Sequence, residues 1–228
     1  MITPRLQAII DLVNVKTIAD IGTDHAYIPI RLAETGRIEK AVASDKNEGP
    51  AKIAKENIKN RGLCELISVR VGDGLDPIGE AETEGIIIAG MGGKLIADII
   101  EENISKAKAS VLYLQPMNAQ YELRKRLYDM GFTIIKEELS MEGFKVYNLM
   151  EVHAGKDNNQ YSEFDFHIPK SLKSHKYINA LINKKKREFE KIANGKKSSE
   201  NDYSDEVCYY EKLLCQVEEF RDKIAKCD

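Results

Sequence analysis

A short connection between two strand-like segments places the tightest constraint on the fold of this chain. Residues 133–139 and 146–152 are both rich in apolar and β-branched side chains, and only six residues separate them. A parallel crossover needs about a dozen residues or more, so this pair is predicted to form an antiparallel hairpin. The segments before it follow a different pattern, in which short apolar runs alternate with amphipathic stretches of helical length.

The alternating pattern indicates a parallel sheet with helices on both faces. Pro29 and Pro50 fall in predicted first turns of helices, where the missing N–H costs nothing. Five parallel strands that end in a hairpin are typical of the seven-stranded, Rossmann-like α/β sheet of class I methyltransferases, rather than of dinucleotide-binding dehydrogenases. The strands are predicted at residues 17–21, 40–44, 67–71, 85–89 and 110–115, and the helices at residues 28–35, 50–60, 94–103 and 119–130.

The last third of the chain is expected to form a separate helical domain. Residues 153–160 are polar and are predicted to be a loop that divides the chain into residues 1–155 and residues 156–228. Beyond it, two helical segments flank a predicted turn at residues 194–201. Their apolar residues recur at helical spacing, which favours an antiparallel, coiled-coil-like helical hairpin. The predicted seam consists of Ile178, Leu181, Ile182, Phe189 and Ile192 in the first helix and Val207, Tyr210, Leu214, Val217 and Ile224 in the second.

The formal net charge of −3 conceals an asymmetry within this helical region. Residues 170–197 contain ten lysines and arginines against two glutamates, whereas residues 198–228 contain nine acids and four bases. A basic stretch of this density is suited to a phosphate backbone, and Lys184, Lys185 and Arg187 are its candidate contacts. The alternative is a solvated helix face whose lysines pair with the acidic segment behind it.

Composition argues against several other classes of protein. Apolar residues make up 43% of the chain and charged residues 31%, which is typical of a folded protein rather than a disordered one. No window approaches ~18 consecutive apolar residues, and the first residues lack the layout of a signal peptide, so no membrane segment is expected. The four cysteines form no CxxC pair, which argues against a metal site and favours the reducing cytoplasm. Cys208 and Cys215 are interpreted as thiols on a packed helical seam.

The turn after the first predicted strand gives the strongest indication of a cofactor. Residues 20–27 have the sequence DIGTDHAY, in which Gly22 lets a ligand approach the backbone at the start of the next helix. A dinucleotide fingerprint has a second glycine where this chain has Asp24, so a pyrophosphate would meet the carboxylates of Asp20 and Asp24. A cofactor with a sulfonium and an ammonium group, such as S-adenosylmethionine, is attracted instead. The alternative role of Asp24 is to cap the helix.

Acidic and glycine residues also follow the next three strands. Asp45 ends the second strand 23 residues after the glycine of the first turn, where an acid binds the two ribose hydroxyls of a nucleoside. Asp73, between two glycines, is placed to accept a hydrogen bond from an adenine amino group, or else belongs to a simple turn. Gly90, Met91 and Gly92 indicate backbone close to a ligand, the alternative being a tight strand-to-helix turn. Met91 is expected to line the substrate base or to belong to the core.

A polar group follows the fifth strand in the sequence QPMN, residues 115–118. Gln115 and Asn118, on either side of Pro116, offer donors and acceptors that suit the edge of a nucleobase. Asn118 is equally suited to cap the next helix. His25 is expected to polarise a substrate or to hydrogen-bond the cofactor, and Tyr27 is expected to stack on the base or to belong to the core.

The segments DIGTDHAYIP, GDGL, AGMGG and QPMN, together with the helical hairpin, carry a resemblance to a known family. The whole chain resembles the bacterial tRNA (adenine-N1)-methyltransferases that modify adenine 22, the TrmK family. The resemblance implies a Rossmann-like catalytic domain that binds S-adenosylmethionine and a helical domain that helps to hold tRNA. It also implies that Arg5 reaches the cofactor or the RNA, and that the cofactor pocket comprises Gly22, Asp24, His25, Asp45, Asp73 and Gly90 to Gly92.

The function expected from this resemblance is methylation of N1 of adenine 22 in the D-arm of tRNA, by a monomer without a metal. Asp24 and Asn118 are the predicted catalytic residues. Methylation moves positive charge from sulfur to the base, and a carboxylate or a polar acceptor stabilises that shift. Two alternatives remain open: a class I methyltransferase that acts on a small molecule or a protein, and a non-catalytic RNA-binding protein with the same fold.

Overall fold

Strands and helices alternate along the first two thirds of the chain, and the strands meet in one seven-stranded sheet. The computed structural model describes residues 2–156, 160–172, 175–197 and 203–225. The strands are β1 (Thr17–Ile21), β2 (Lys40–Asp45), β3 (Ile67–Val71), β4 (Gly85–Met91), β5 (Val111–Pro116), β6 (Phe132–Glu142) and β7 (Lys145–Ala154). Their order in the sheet is β3-β2-β1-β4-β5-β7-β6. Strands β1 to β5 are parallel, and β7 pairs antiparallel with both β5 and β6.

The predicted hairpin is confirmed, and with it the methyltransferase sheet. Its strands are longer than predicted, because Glu142 pairs with Lys145 and the turn is only Gly143 and Phe144. The predicted connection was residues 140–145, which mix polar and apolar side chains. Ladder hydrogen bonds join backbone groups whatever the side chain, so the pairing continues into this mixed segment.

Helices cover both faces of the sheet and create two apolar cores. Side chains alternate across a strand, so Ile87 of β4 enters one core with Leu32, whereas Ile86 and Ile88 enter the other with Leu123. Each fully buried side chain of this kind stabilises the fold by about 1.5–3 kcal/mol. The first core is covered by α1 (Pro4–Leu12), α2 (Tyr27–Glu34) and α3 (Glu48–Asn60), and the second by α4 (Gly93–Glu102), α5 (Ile104–Lys108) and α6 (Gln120–Asp129).

Helix α1 was not among the helices predicted from the sequence. Thr3 precedes the helix with an extended backbone, and its side-chain oxygen accepts a hydrogen bond from the N–H of Leu6. Pro4 occupies the first helical position, where its fixed φ suits the helix. This capped start places Arg5 in the first turn of α1.

The described residues from Gln160 onward belong to a second compact unit, so that the chain divides into Met1–Asn158 and Asn159–Asp228. The second unit contains α7 (Glu163–His167), a 3-10 turn (Lys170–Leu172), α8 (Ile178–Lys197) and α9 (Ser204–Ala225). Helix α8 extends to Lys197 and so includes the start of the turn predicted at residues 194–201, and residues 198–201 of that turn lie outside the described residues.

Helices α8 and α9 pack as an antiparallel pair, but the seam differs from the prediction in α9. Leu213, rather than Leu214, is buried, together with Val217. Cys208 and Cys215 are exposed, because the buried stripe of α9 runs through Leu213 and Val217 and leaves both thiols outside it. Their interpretation as seam residues was wrong. None of the described helices is both long and apolar enough to span a membrane.

Candidate active site

Backbone hydrogen bonds to β2 fix the conformation of the turn between β1 and α2. The N–H groups of Gly22 and Thr23 both donate to the carbonyl oxygen of Ser44 in β2, at 2.8 and 2.9 Å. Gly22 has a φ of +73°, a conformation that glycine adopts without the penalty that a Cβ atom brings. The turn therefore leaves the carboxyl end of β1 uncovered, as the sequence predicted for a ligand site.

Asp24 does not cap helix α2. The N-cap residue is Ala26, which has a left-handed backbone and no side-chain hydrogen bond to the helix. Asp24 is exposed, and its Oδ2 lies 3.3 Å from Nε2 of His25. The carboxylate of Asp24 therefore does not stabilise the start of the helix and is exposed in the turn.

Asp20 is a site residue that the sequence analysis mentioned but did not select. It is buried at the penultimate position of β1, and burial raises its pKa to about 7, against a lowering contribution from its hydrogen bond with Thr23. Buried carboxylates without a basic partner are costly, and they concentrate at functional sites. The available signal was an acid in an otherwise apolar buried strand.

A cavity of about 470 Å³ lies beside this turn. Its lining includes the two carboxylates Asp20 and Asp24, and Arg5 is the one lysine or arginine in it. The arrangement is suited to a ligand that has positive groups and one negative group. His25, Tyr27, Gly22 and Gly90 also line the cavity.

Gln115 connects Arg5 to the end of β4. Its side-chain Oε1 accepts hydrogen bonds from Nη1 of Arg5 at 2.7 Å and from the N–H of Gly90 at 3.1 Å. Its Nε2 donates to the carbonyl oxygen of Pro116 at 3.1 Å, and the residue is completely buried. The prediction that Gln115 reads a base edge does not agree with this geometry, because its amide is already engaged inside the protein. Pro116 is also buried, as the last residue of β5.

A second, smaller cavity lies at the ends of β2 and β3. Asp45 and Asp73 both line it, and Leu95 and Ile99 of α4 form an apolar wall opposite them. Oδ1 of Asp45 accepts from the N–H of Asn47 at 2.8 Å, which fixes the carboxylate at the strand end. Gly22 lines this cavity as well as the first one, so the two cavities adjoin at the β1 turn.

Asn118 lies beside the glycine turn after β4. A Cβ atom added at Gly92 would lie 3.1 Å from Oδ1 of Asn118, and the N–H of Gly93 donates to the carbonyl oxygen of Asn118 at 3.1 Å. The N-cap residue of α6 is Ala119, without a side-chain cap, so the capping alternative for Asn118 is wrong. The Asn118 side chain is exposed at the sheet edge.

The rings of His25 and Tyr27 stack on each other, with centroids 5.0 Å apart and planes 19° from parallel. Tyr27 is 40% exposed, so it does not belong to the core. The pair presents an aromatic surface at the rim of the first cavity.

The sequence matches known methyltransferases over most of its length. Residues 2–150 match the model of a family described as methyltransferase domain. A tRNA (adenine(22)-N(1))-methyltransferase of Bacillus subtilis is 36% identical over 162 residues, which are 70% of this chain and 68% of that protein. The chain belongs to the tRNA (adenine(22)-N1)-methyltransferase family.

Solved structures of similar proteins agree with this family. The Sp1610 protein of Streptococcus pneumoniae, in complex with S-adenosyl-L-methionine, is 34% identical with a TM-score of 0.84, covering 96% of this chain and 99% of that one. The M1A22 tRNA methyltransferase TrmK of B. subtilis is 26% identical with a TM-score of 0.81, covering 99% of this chain and 98% of that one. Both likenesses extend over the catalytic and the helical unit.

A tRNA methyltransferase of this family needs basic side chains that reach RNA, and α8 presents fewer than its sequence suggests. Lys185 is buried, and its Nζ donates to Glu188 at 3.0 Å, so its ammonium group is not available to solvent. Burial also lowers the pKa of Lys184, with a further lowering contribution from neighbouring Lys185. Of the three predicted contacts, Arg187 is the exposed one.

Other lysines of the basic stretch are paired with the acidic helix. Lys186 and Lys197 form ion pairs with Glu218 and Glu211 of α9, at 2.5 and 2.6 Å, and Lys196 pairs with Glu206. The alternative that lysines pair with the acidic segment therefore holds for Lys186, Lys196 and Lys197. Among the residues that the structure describes, no cluster of histidine, cysteine and carboxylate side chains is arranged to hold a metal.

Proposed function

We propose that this protein transfers the methyl group of S-adenosylmethionine to N1 of adenine 22 in tRNA. The observation that supports this most directly is the pair of acidic cavities that adjoin at Gly22, one lined by Asp45 and Asp73 and the other by Asp20, Asp24 and Arg5. A cofactor with a nucleoside at one end and a cationic amino acid at the other fits such a pair.

The second cavity suits the adenosine end of the cofactor. The Asp45 carboxylate, fixed at the end of β2, is placed to accept both ribose hydroxyls. Asp73 is placed to accept from the adenine amino group, and the apolar wall of Leu95 and Ile99 suits the face of the ring. These assignments are supported by the family resemblance and by the lining of the second cavity.

The first cavity suits the methionine end. Asp20 is a buried carboxylate without a basic partner among the residues that the structure describes, and a sulfonium or ammonium group supplies the positive charge that its ionised form needs. Arg5, fixed by Gln115, is placed for the carboxylate of the same amino acid. Met91 lines the second cavity, together with Gly22.

In the proposed reaction, the residues of this chain form no covalent bond with the substrate and act by orienting it and stabilising charge. The cofactor supplies an activated methyl group on a sulfonium, and adenine N1 is already a lone-pair nucleophile. The protein orients N1 in line with the methyl carbon, so that the N1–methyl bond forms as the sulfur–methyl bond breaks. Asp24 and the carbonyl of the Asn118 side chain stabilise the positive charge that develops on the ring.

The substrate base must leave its stacked position to reach the cavities. Tyr27, stacked on His25, is half-exposed at the rim and offers a ring face for the extruded base. Arg187 of α8 is the proposed contact with the phosphate backbone, and Lys184 is a weaker candidate because of its burial. We propose that the protein acts as a monomer, without a metal, in the cytoplasm where tRNA is modified.

The test is transfer of labelled methyl from S-adenosylmethionine to unmodified tRNA transcripts, with nuclease mapping of the product. The proposal requires labelled 1-methyladenosine at position 22, and a transcript with guanine at that position must remain unlabelled. Cofactor binding without transfer to any tRNA would favour the methyltransferase of a small molecule or protein. Absence of cofactor binding would favour the non-catalytic RNA-binding protein.

A further inference from the structure

The tip of the β6–β7 hairpin presents an aromatic side chain entirely to solvent. Phe144 has a relative exposure of 103%, and its only companion in the turn is Gly143, which has a φ of +57°. A two-residue turn with glycine first suits the twist of the flanking strands and keeps the tip short and rigid. A single exposed apolar side chain is ordinary on a protein surface, so the significance of Phe144 depends on where the tip lies and on which side chains lie near it.

This tip lies at the edge of the sheet where the two cavities open. Strand β7 runs antiparallel to β5, with Leu114 opposite Met150, so the start of β7 lies beside the end of β5. Arg5, which lines the first cavity, donates its backbone N–H to Oε1 of Glu142 at 3.0 Å. Its guanidinium also lies over the ring of Tyr147, 5.6 Å from the centroid. Phe144 is therefore tied through its two strands to a cavity residue.

Exposed apolar side chains concentrate along the same edge. Tyr27 starts α2, Leu95 lies in the first turn of α4, and Met117 follows β5, and each of the three is at least 40% exposed. All follow the carboxyl ends of parallel strands, as the proposed cofactor site does. Lys145, next to Phe144, adds an exposed positive charge that suits a phosphate. The combination of ring faces and an adjacent cation is typical of surfaces that bind unpaired nucleotides.

We propose that Phe144 stacks on an unpaired base of the tRNA that neighbours the target adenine, while Lys145 contacts the adjoining phosphate. This inference rests on the proposed function. Extrusion of the target base unstacks its neighbours, and a rigid aromatic ring at the cavity edge replaces the lost stacking. Phe144 is thus a substrate-positioning residue for RNA and has no contact with the cofactor.

The experiment uses the full chain and an unmodified tRNA transcript. Phe144→Ala is expected to weaken tRNA binding roughly 10-fold or more, the range of one lost base–aromatic stack, and Phe144→Tyr is expected to restore it. Cofactor affinity should not change in either variant. Ile135→Ala is the matched control, because Ile135 is also an exposed apolar residue of β6 but lies toward the far end of the strand.

Fluorescence gives a direct reading of the stack, because the chain contains no tryptophan. Phe144→Trp should show quenching of its indole when tRNA is added, whereas Ile135→Trp should not. Lys145→Ala should lower the salt dependence of tRNA binding, and Phe144→Ala should leave that slope unchanged.

If Phe144→Ala binds tRNA with native affinity and the indole of Phe144→Trp is not quenched by tRNA, this proposal is wrong. The proposed function is unaffected by that result as long as the native protein methylates tRNA. If the native chain neither binds nor methylates tRNA, the proposed function fails and this inference fails with it.

Discussion

The terminal methyl group of Met91 overlaps the position that a Cβ atom on residue 22 would take, and Gly22 and Met91 both line the second cavity. Two separate features therefore favour glycine at this position. The backbone has a φ of +73°, and a Cβ atom would displace the flexible end of the Met91 side chain. The first feature concerns the stability of the turn, and the second concerns the shape of the cofactor site.

Gly22→Ala is expected to destabilise the protein by about 1–2 kcal/mol, the cost of a left-handed backbone for a residue with a Cβ atom. It should weaken cofactor binding further, because the displaced Met91 side chain has to move within the cavity wall. Calorimetric titration and thermal unfolding measure the two effects separately. In the double variant Gly22→Ala/Met91→Ala, cofactor affinity should partly recover and stability should not. If cofactor affinity and stability recovered equally in the double variant, the effects on the backbone and on the cavity would not be separate.

Asp20 should make cofactor binding depend on pH near neutrality. Its folded-state pKa of about 7 lies above the ordinary value of 3.8, so the folded protein binds a proton that the unfolded chain releases. Stability from this group is fully present below pH ~4 and falls as the pH rises toward ~7, by on the order of a few kcal/mol. Positive groups of the cofactor favour the ionised form, so affinity should rise between pH ~5.5 and ~7.5, with proton release on binding.

The control for this behaviour is Asp20→Asn, which keeps the shape and removes the charge. Its cofactor affinity should be low and flat across the same pH range, and its free energy of unfolding should exceed that of the native protein at pH ~8. A native pH profile in the variant would assign the titration to another group. Calorimetry in two buffers of different ionisation enthalpy detects the released proton.

Gln115 is expected to act on the cofactor through Arg5. In Gln115→Leu, the N–H of Gly90 and Nη1 of Arg5 lose their shared acceptor, and the loss stays below the cost of a buried unsatisfied donor, about 1–3 kcal/mol, because neither residue is buried. Cofactor affinity should fall, and Gln115→Glu, which keeps an acceptor, should bind better than the leucine variant. In a double-mutant cycle with Arg5→Met, the two losses of cofactor affinity should not add, because each substitution removes the same Arg5–Gln115 hydrogen bond. Additive losses would mean that Gln115 supports only the fold.

Asp24 should affect turnover more than binding or stability. Its side chain is exposed and does not cap α2, so Asp24→Asn should leave thermal unfolding unchanged. The proposed stabilisation of developing positive charge predicts a decrease in kcat of about 100-fold or more, with a smaller change in KM for tRNA. Glu34→Gln, at the opposite end of α2, is a control of the same chemistry. Native turnover by Asp24→Asn would remove this residue from the mechanism.

Substitutions of charged residues in α8 should have different effects on exposed and on buried residues. Arg187→Glu should weaken tRNA binding and lower its salt slope by about 0.7–0.9, the value for one phosphate contact. Lys185→Gln should instead lower the stability of the helical unit, because Lys185 is buried and bonded to Glu188. Lys59→Glu, at the end of α3 far from the cavity edge, is the control for net charge. Binding that is the same in Arg187→Glu as in Lys59→Glu would place the RNA elsewhere.

The arrangement of the sheet could be predicted from the sequence, because burial of strands between helices and the minimum length of a crossover both leave patterns along the chain. Alternation of strands with helices, and a connection too short for a crossover, together led to the observed sheet. Boundaries were less accurate: β6 extends to Glu142 because backbone pairing does not require apolar side chains. The seam of α9 was off by one residue at Leu213, since two adjacent leucines at helical spacing cannot be told apart by periodicity.

The sequence by itself determined the residue types of the site and the strand ends at which they lie. Asp45, Asp73 and the Gly22 turn follow parallel strands, and the geometry of such a sheet brings those ends together. The carboxylates of Asp20 and Asp24 also favour a cofactor that carries positive groups.

Only the tertiary structure decided which side chains face the ligand. Gln115 is buried and hydrogen-bonded to Arg5, Lys185 is buried, and Phe144 is exposed at a hairpin tip. Burial of a polar side chain depends on partners distant in the sequence, 110 residues away in the case of Arg5 and Gln115. Composition and spacing report only on near neighbours along the chain, so these placements had to come from the packed fold.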